Sequence, residues 1–316
     1  MTRADLTRRG FLRTAGLAAC AVCAGSGAVI AAAAGEKQKL HLATNQYPWG
    51  TFYRREGKKF EEDLDAGLAA VASTGLEGYE PLATSPQDID TLSPLLKKHG
   101  LQMRSLYVNS TLHERDAAEK SIAAVLAIAA RAKEAGARII VTNPNPIKWG
   151  GAEDKTDDQL RTQAGALDLL GRRLAELGLV LSYHNHDVEL RNAAREFHHM
   201  MVGTDPKNVT LCLDAHWVFR GAGNSAVAVY DIVSLYGRRV SELHARQSSG
   251  GTWTEAFGEG DIDYARIVKD LVSQGVRPHV VLEQAVEQAT PKTLSAVDAH
   301  RRGAEYARQV FAAFSG

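Results

Sequence analysis

The residues most able to do chemistry are histidines and carboxylates that follow short apolar runs in the second half of the chain. Successive runs end in His184 with His186, then in Asp214, His244 and Glu283. Imidazole and carboxylate groups together suit Mn²⁺, Co²⁺, Zn²⁺ or Mg²⁺. A set without thiolates leaves positions for water or substrate, as a catalytic site requires. The sequence therefore predicts a catalytic site with one divalent metal ion.

Two histidines compete for the first ligand position. His184 and His186 lie on the same face if the strand continues, because side chains alternate along a strand. The end of the apolar run favours His184 as the ligand and leaves His186 to contact substrate. A hydrogen bond from His186 to a metal ligand is the alternative. The predicted metal ligands are thus His184, Asp214, His244 and Glu283.

Three further residues at the ends of apolar runs are candidates for contact with a small molecule. Glu80 could act as a base or bind hydroxyl groups of a ligand, and Asn143 could donate hydrogen bonds to substrate. Trp217 offers an aromatic face that could pack on a ligand ring, although plain packing at the rim is the alternative. We expect all three to line the pocket.

Arg246 and His216 each have two interpretations. Arg246 stands two residues after His244, where it could bind a substrate oxyanion or hydroxyl, or form a salt bridge at the rim. His216 stands two residues after Asp214, where it could donate to substrate or orient that carboxylate. Both are predicted as substrate-binding residues.

The elements that position these residues alternate along the whole chain. Apolar runs that predict strands cover residues 40–43, 76–80, 101–108, 137–142, 179–184, 209–214, 240–244 and 278–283. Amphipathic segments that predict helices lie between them, and most end at a glycine. This alternation predicts a parallel sheet with crossover helices.

Eight such repeats favour an α/β fold, the single-domain (β/α)8 TIM barrel, over residues 35–316. In that fold the active site lies at the carboxyl ends of the strands, where the candidate residues stand. A doubly wound open sheet is the alternative. It would need a glycine-rich loop after the first strand, and residues 44–48 are not one.

Residues 1–34 predict a twin-arginine signal peptide. Arg8 and Arg9 precede Phe11-Leu12 and an Ala/Gly-rich apolar run that ends in small residues. We therefore expect an exported, periplasmic protein. An uncleaved membrane anchor is one alternative, although the run is weakly apolar. Lipid attachment at Cys20 is another.

The amino-acid composition argues against several classes of partner and site. The chain has 37 basic and 37 acidic residues, and removal of residues 1–34 leaves a small acidic excess. A nucleic-acid-binding protein would carry a basic excess, so we expect this chain not to bind nucleic acid. Outside the signal, Cys212 is the lone cysteine, which excludes an intramolecular disulfide and a cysteine-based zinc site. No later apolar stretch has the length of a membrane span, so we expect no stable membrane insertion after cleavage.

Residues 40–313 resemble the xylose-isomerase-like TIM-barrel superfamily. This group includes sugar phosphate isomerases and epimerases, inosose isomerases and dehydratases and, distantly, endonuclease IV. In that family strands 5 to 8 supply Glu, Asp, His and Glu to one metal, and Asp214, His244 and Glu283 match the last three. The stretch 258–263 also resembles the family's loop before the last repeat, where Asp261 or Asp263 could cap a helix. The resemblance implies a sugar or cyclitol substrate.

The chain departs from the epimerase pattern at strand 5. His184, within the run Tyr-His-Asn-His, stands where the epimerases carry Glu. Those enzymes use the glutamates of strands 5 and 8 as a facing pair of bases. Symmetric two-base epimerisation therefore does not carry over to this chain.

The expected reaction is proton abstraction next to a carbonyl. The metal would act as a Lewis acid, and Glu283 or His186 would be the base. Return of the proton at another position gives an isomerase or epimerase. Loss of a hydroxyl or glycosidic oxygen gives a lyase or dehydratase acting on a keto-sugar, keto-glycoside or inosose.

Two other classes compete with these reactions. A metal-dependent hydrolase related to endonuclease IV would need more histidines and a basic groove. A non-catalytic sugar-binding barrel would keep the aromatic residues but would not need four convergent ligands. No glycine-rich loop for a phosphate is evident, which favours an unphosphorylated substrate.

Overall fold

Eight short runs of mostly buried residues form parallel strands, as expected for a sheet that is covered on both faces. The computed structural model describes residues 39–315. The strands are β1 (Leu42–Asn45), β2 (Gly78–Glu80), β3 (Ser105–Tyr107), β4 (Ile139–Thr142), β5 (Val180–His184), β6 (Val209–Asp214), β7 (Val240–Ala245) and β8 (His279–Leu282). The signal peptide predicted for residues 1–34 lies outside the described residues.

The strands close into a barrel. Their order is β2-β1-β8-β7-β6-β5-β4-β3, and every pair is parallel. Backbone hydrogen bonds join the two ends of this order, since the amides of Tyr79 and Tyr107 donate to the carbonyls of Gln102 and Pro81 at 3.0 Å. The predicted (β/α)8 barrel is confirmed.

Helices surround the barrel and bury their apolar faces against it. They are α1 (Gln46–Arg55), α2 (Leu64–Ala72), α3 (Pro86–Lys98), α4 (Arg115–Glu134), α5 (Asp157–Glu176), α6 (Arg191–Val202), α7 (Ala215–Gly221), α8 (Ala226–Tyr236), α9 (Tyr264–Ser273) and α10 (Ala296–Val310). In α9, for example, Tyr264, Ile267 and Leu271 share the buried face. Between residues 39 and 315, no helix combines the length and the apolarity needed to cross a bilayer.

Three helical segments differ from the sequence prediction. Helix α1 replaces the loop expected after β1, because Pro48 falls in its first turn, where a missing amide costs no hydrogen bond. Helix α7 follows β6 directly, with Asp214 as its N-cap. The amphipathic segment between the first two predicted strands, which predicts a helix, is a 3-10 turn at Phe60–Asp63 followed by α2.

A short hairpin in the loop after β7 covers one side of the barrel's open end. Ser248–Ser249 pairs with Thr252–Trp253, and the carboxylate of Asp261 accepts from the Ser248 hydroxyl at 2.6 Å. The capping role falls to Asp263, which accepts from the amide of Arg266 in α9. This hairpin places Trp253 above the strand ends.

Candidate active site

Four side chains from consecutive strands converge at the carboxyl end of the barrel. His184, Asp214, His244 and Glu283 come from β5, β6, β7 and the end of β8. One ligand atom of each lies within 4.8 Å of the ligand atoms of the other three. All four are buried. These are the residues that the sequence predicts as metal ligands, and the barrel brings them together because parallel strands end at the same rim.

Carboxylates fix the ring of His244. Its Nε2 lies 3.0 Å from Glu242 Oε1 and 3.2 Å from Glu80 Oε1. Its Nδ1 therefore points the other way and lies 2.6 Å from Glu283 Oε2, without the geometry of a hydrogen bond. Burial acts to lower the pKa of His244, but Cys212 and the carboxylates outweigh it and raise that pKa well above its usual value. This arrangement presents Nδ1 to the centre of the cluster.

Arg246 contacts the carboxylates of the cluster from below. Its Nη2 pairs with Glu283 Oε1 and lies 3.7 Å from Asp214 Oδ2, while its Nε donates to the Glu283 carbonyl at 2.9 Å. Burial would raise the pKa of Glu283, but Arg246 and His244 hold it well below its usual value. At Asp214 burial prevails over Arg246 and raises the pKa to about 6.

Asp214 has two roles at one position. It ends β6 and caps α7, and its Oδ1 accepts from the amide of Trp217 at 2.8 Å. Its Oδ2 accepts no hydrogen bond from residues 39–315. The cap leaves that second oxygen to face the cluster.

The cluster fits a divalent cation. Three buried atoms, His184 Nδ1, Asp214 Oδ2 and His244 Nδ1, have no hydrogen-bond partner within the described chain. Such orphaned groups are rare in proteins, and here they meet at one point. Burial, then His186 and His244, lower the pKa of His184 well below its usual value, which keeps its imidazole neutral as a ligand must be.

A cavity of about 560 Å³ opens above the cluster. Its volume lies within the range typical of small-molecule sites, roughly 300–1,000 Å³. His184, Glu80 and Glu283 form part of its floor, and Tyr47, Leu82, Trp149 and Trp217 supply apolar walls. Trp149 is 51% exposed, which leaves its ring free to pack on a ligand.

His186 lines this cavity. Its ring centre lies 4.7 Å from that of His184 and 5.1 Å from that of Trp149. Its Nδ1 is buried and lacks a hydrogen-bond partner among residues 39–315. Burial lowers the pKa of His186 to about 4, so the ring is neutral near pH 7 and can accept a proton.

Glu80 also reaches the cavity, but its carboxylate is engaged. Oε1 accepts from Asn45 Nδ2 at 3.4 Å and lies beside His244 Nε2. Burial would raise the pKa of Glu80, but His244 lowers it, so the carboxylate is charged. These contacts give Glu80 a part in orienting His244.

The predicted substrate contacts separate into two layers. Trp217 lines the cavity, as expected. Arg246 is fully buried beneath the lining. Asn143 donates at 3.1 Å to both the His184 carbonyl and Glu189. His216 packs against Phe219 and Trp253 with both ring nitrogens unpartnered within the described residues, and burial lowers its pKa to about 3. The last three support the cluster rather than face the cavity.

Several residues of the site were not identified from the sequence. Asn45 donates to Glu283 Oε2 at 2.7 Å, and its place at the end of β1 could have revealed it. Glu189 accepts from the His186 amide at 2.7 Å, but it lies in a 3-10 turn without a strand-end signal. Tyr47 lies in the first turn of α1 and Trp149 lies in a turn after β4, and no periodic pattern marks either residue.

Known proteins show the same architecture. Residues 68–310 match the family model described as xylose isomerase-like TIM barrel. An inosose dehydratase from Clostridium perfringens (strain 13 / Type A) is 22% identical over 263 residues, which cover 74% of this chain and 86% of that protein.

Solved structures are similar in fold at low sequence identity. A sugar phosphate isomerase/epimerase from Parabacteroides distasonis superposes with a TM-score of 0.68 and 17% identity, over 90% of this chain and 98% of that one. A 3-keto-D-glucoside 4-epimerase from E. coli gives a TM-score of 0.64 and 15% identity, over 86% of this chain and 100% of that one.

Proposed function

The chain belongs to the xylose isomerase-like TIM barrel family, and on that premise we propose that it is a divalent-metal-dependent isomerase or epimerase of a sugar or cyclitol. The observation that carries the proposal is the convergence of four ligand atoms within 4.8 Å at the floor of an open cavity. A non-catalytic sugar-binding barrel would not need this cluster.

His184, Asp214, His244 and Glu283 would hold one Mn²⁺, Co²⁺, Zn²⁺ or Mg²⁺ ion. When bound, the ion supplies Lewis-acid stabilisation of negative charge at a carbonyl oxygen. The carboxylates Glu80 and Glu242 keep the His244 ring turned toward the cluster, which is the usual task of groups behind a metal ligand.

His186 is the proposed proton acceptor. Glu283 is a weaker candidate, because Arg246 stabilises its charged form and so reduces its basicity. The Nδ1 of His186 has no hydrogen-bond partner among the described residues, and its side chain lies on the cavity wall. The imidazole would take the proton from the carbon next to the carbonyl. Return of the proton to the carbonyl carbon would give an isomer, and its return to the other face of the first carbon would give an epimer.

The cavity suits an unphosphorylated substrate. Four carboxylates line it, Glu61, Glu80, Asp187 and Glu283, against one arginine, Arg54. This excess of negative charge disfavours a phosphate group. Trp149 and Trp217 offer aromatic faces of the kind that pack on the apolar faces of sugar rings.

A lyase is the second candidate. The site offers His186 as a free acceptor, but no facing pair of free carboxylates, since Glu80 and Glu283 are both engaged. One base suffices when a hydroxyl or glycosidic oxygen leaves after the proton is removed. The likeness to inosose dehydratase supports this outcome.

We also propose that the chain is exported to the periplasm. The support is the Arg8-Arg9 motif and the apolar run that follows it. Proteins exported by this route cross the membrane folded, which would allow a metal to be bound beforehand.

Elemental analysis of the purified protein tests the metal centre. We expect about one divalent ion per chain, lost in His244→Ala and Asp214→Ala and kept in the control His198→Ala, whose ring contacts Tyr236 away from the site. A metal-free protein that takes up no Mn²⁺, Co²⁺ or Zn²⁺ would refute the proposal.

Product analysis then separates the two reactions. Keto-sugars, keto-glycosides and inososes would be incubated with the metal-loaded protein in deuterated water and followed by NMR. An isomeric or epimeric product with deuterium on the neighbouring carbon identifies an isomerase or epimerase. An unsaturated product identifies a lyase.

A further inference from the structure

A second cavity, of about 180 Å³, lies at the opposite end of the barrel from the candidate active site. Its walls come from the amino-terminal ends of β1, β3, β4 and β8. The polar and charged side chains that line it are Lys39, His41, Arg104, Arg138, Arg277 and His279. Every charged group in this set is a cation.

The positive charge of this cavity is not balanced within residues 39–315. No carboxylate of that part of the chain lies within 4.0 Å of Lys39 or of the three arginines. The charge of Glu77 acts on His41 and Arg104, but its Oε1 accepts from Arg308 at 2.9 Å and its Oε2 accepts from the Leu42 amide at 3.2 Å. Glu77 is therefore already engaged.

Two histidines in the cavity wall have ring nitrogens without partners. His41 is 8% exposed, and neither its Nδ1 nor its Nε2 forms a hydrogen bond within the described chain. The Nε2 of His279 is also buried and unpartnered there, and the two ring centres lie 5.2 Å apart. Buried donors of this kind are usually satisfied by a protein group, water or an ion.

Gly78 in β2 leaves room for the ring of His41. A Cβ atom at Gly78 would lie 2.5 Å from His41 Cε1, so a side chain there would displace the ring. The fold thus keeps space for an imidazole at the floor of a cationic cavity.

The pKa values of Arg104 and His41 reflect the unbalanced positive charge of the cavity. Burial and the neighbouring Arg138 lower the pKa of Arg104. Burial and Arg104 lower the pKa of His41 to about 4. Like charges in a partly buried space disfavour each other's charged forms, and an anion between them would reverse the effect.

We propose that this cavity binds a small oxyanion of the phosphate or sulfate type. Arginine forks match the oxygens of such an anion, and the imidazoles of His41 and His279 would donate to it from the floor. The bound anion would stabilise the folded state, because it binds the native cavity and not the unfolded chain. The proposal is independent of the reaction at the other end of the barrel.

Binding of the anion should be accompanied by uptake of protons by the protein. The other charged groups around the cavity are Lys39, the three arginines and Glu77, which pairs with Arg308. Glu80 and His244 act on His279 only by longer-range electrostatics. His41 and His279 therefore change charge when the anion binds. Sulfate affinity should rise as the pH falls from about 8 to about 5, since an anion favours the protonated histidines.

Calorimetric titration with sulfate tests the proposal, because sulfate keeps its charge over this pH range. In Arg104→Gln/Arg138→Gln we expect the Kd to rise at least about tenfold, the change that corresponds to losing one charge-assisted hydrogen bond. The matched control Arg172→Gln changes an exposed arginine on α5 and should bind as the parent does. Asp214→Asn should also bind sulfate normally, which separates this cavity from the active site.

Thermal unfolding gives a second measurement. Sulfate and phosphate should raise the Tm more than sodium chloride of equal ionic strength does, and the increase should shrink in the double variant. If that variant does not fold, Arg277→Gln, at an exposed position, replaces it. His41→Asn should reduce the pH dependence of sulfate binding. An equal response to chloride, or unchanged sulfate binding in the arginine variants, would overturn the proposal.

Discussion

The guanidinium of Arg246 pairs with the carboxylate of Glu283 at the floor of the active-site cavity, where both side chains are buried. The same guanidinium lies 3.7 Å from Asp214. One buried cation thus balances two carboxylates at the cavity floor. Breaking a buried pair by removing one partner is costly, because the remaining charge has no compensation.

Arg246→Met should lower the free energy of unfolding of the metal-free protein by about 3–5 kcal/mol. Urea denaturation measures the change. The control Arg131→Met removes an exposed ion pair with Asp90 and should cost far less, because solvent screens that pair. Equal losses in the two variants would show that the buried pair has no special role.

Glu242→Gln should weaken metal binding by about 10- to 100-fold, since it removes a carboxylate that orients His244 without removing a ligand. Competition with a chelator measures the Kd of the variant. The exposed substitution Glu176→Gln serves as the control and should leave the Kd unchanged. An unaltered Kd in Glu242→Gln would contradict the orienting role.

His184→Asn and His186→Asn should have different effects. The first should lose the metal, because a ring nitrogen of His184 lies within 4.8 Å of the other three ligand atoms. The second should keep the metal and lose about 10²- to 10⁴-fold in kcat, the usual contribution of a general base. Elemental analysis and steady-state kinetics distinguish the two. Loss of metal in His186→Asn would instead assign the ligand role to that residue.

His300 should make the protein less stable as the pH falls. This ring stacks on Trp49 at 4.2 Å, and burial lowers its pKa to about 4. The unfolded chain therefore binds more protons between about pH 4 and the usual histidine pKa of about 6.5. The free energy of unfolding should decrease as the pH falls through that window, by up to about 3 kcal/mol from this residue, and level off below it. Urea titrations across this range should show a smaller decrease in His300→Gln, and an identical profile would refute the assignment.

Replacing Arg8-Arg9 by two lysines should stop export. Twin-arginine signals depend on the arginine pair, so the variant should accumulate uncleaved inside the cell. Fractionation followed by mass determination of the mature amino terminus checks this outcome. Export of the lysine variant at the parental level would exclude the twin-arginine route.

The strands and the metal cluster were predictable from the sequence for the same reason. Strands of a parallel barrel are buried on both faces, so each appears as an apolar run, and the next polar residue falls at the rim. This rule predicts His184, Asp214, His244 and Glu283 from the sequence alone.

The supporting residues were not predictable, because their roles depend on distances between strands. Arg246 looks like a rim residue in sequence, but Trp253 of the hairpin covers it and turns it onto Glu283. Helix α7 is short, and its N-cap is itself a predicted ligand, so no separate start signal marks it.

The N-cap at Asp214 also limits how the metal centre can be completed. Oδ1 of Asp214 accepts from the Trp217 amide, and Oε1 of Glu283 pairs with Arg246. Oε2 of Glu283 accepts from Asn45 and lies beside His244 Nδ1, so it is the oxygen of this carboxylate that faces the cluster. If each carboxylate offers one oxygen, the four side chains together offer four donor atoms. An ion that prefers octahedral coordination would keep two positions free. In the proposed function, those two positions would suit a chelating substrate with two neighbouring oxygens, as in a hydroxy-ketone.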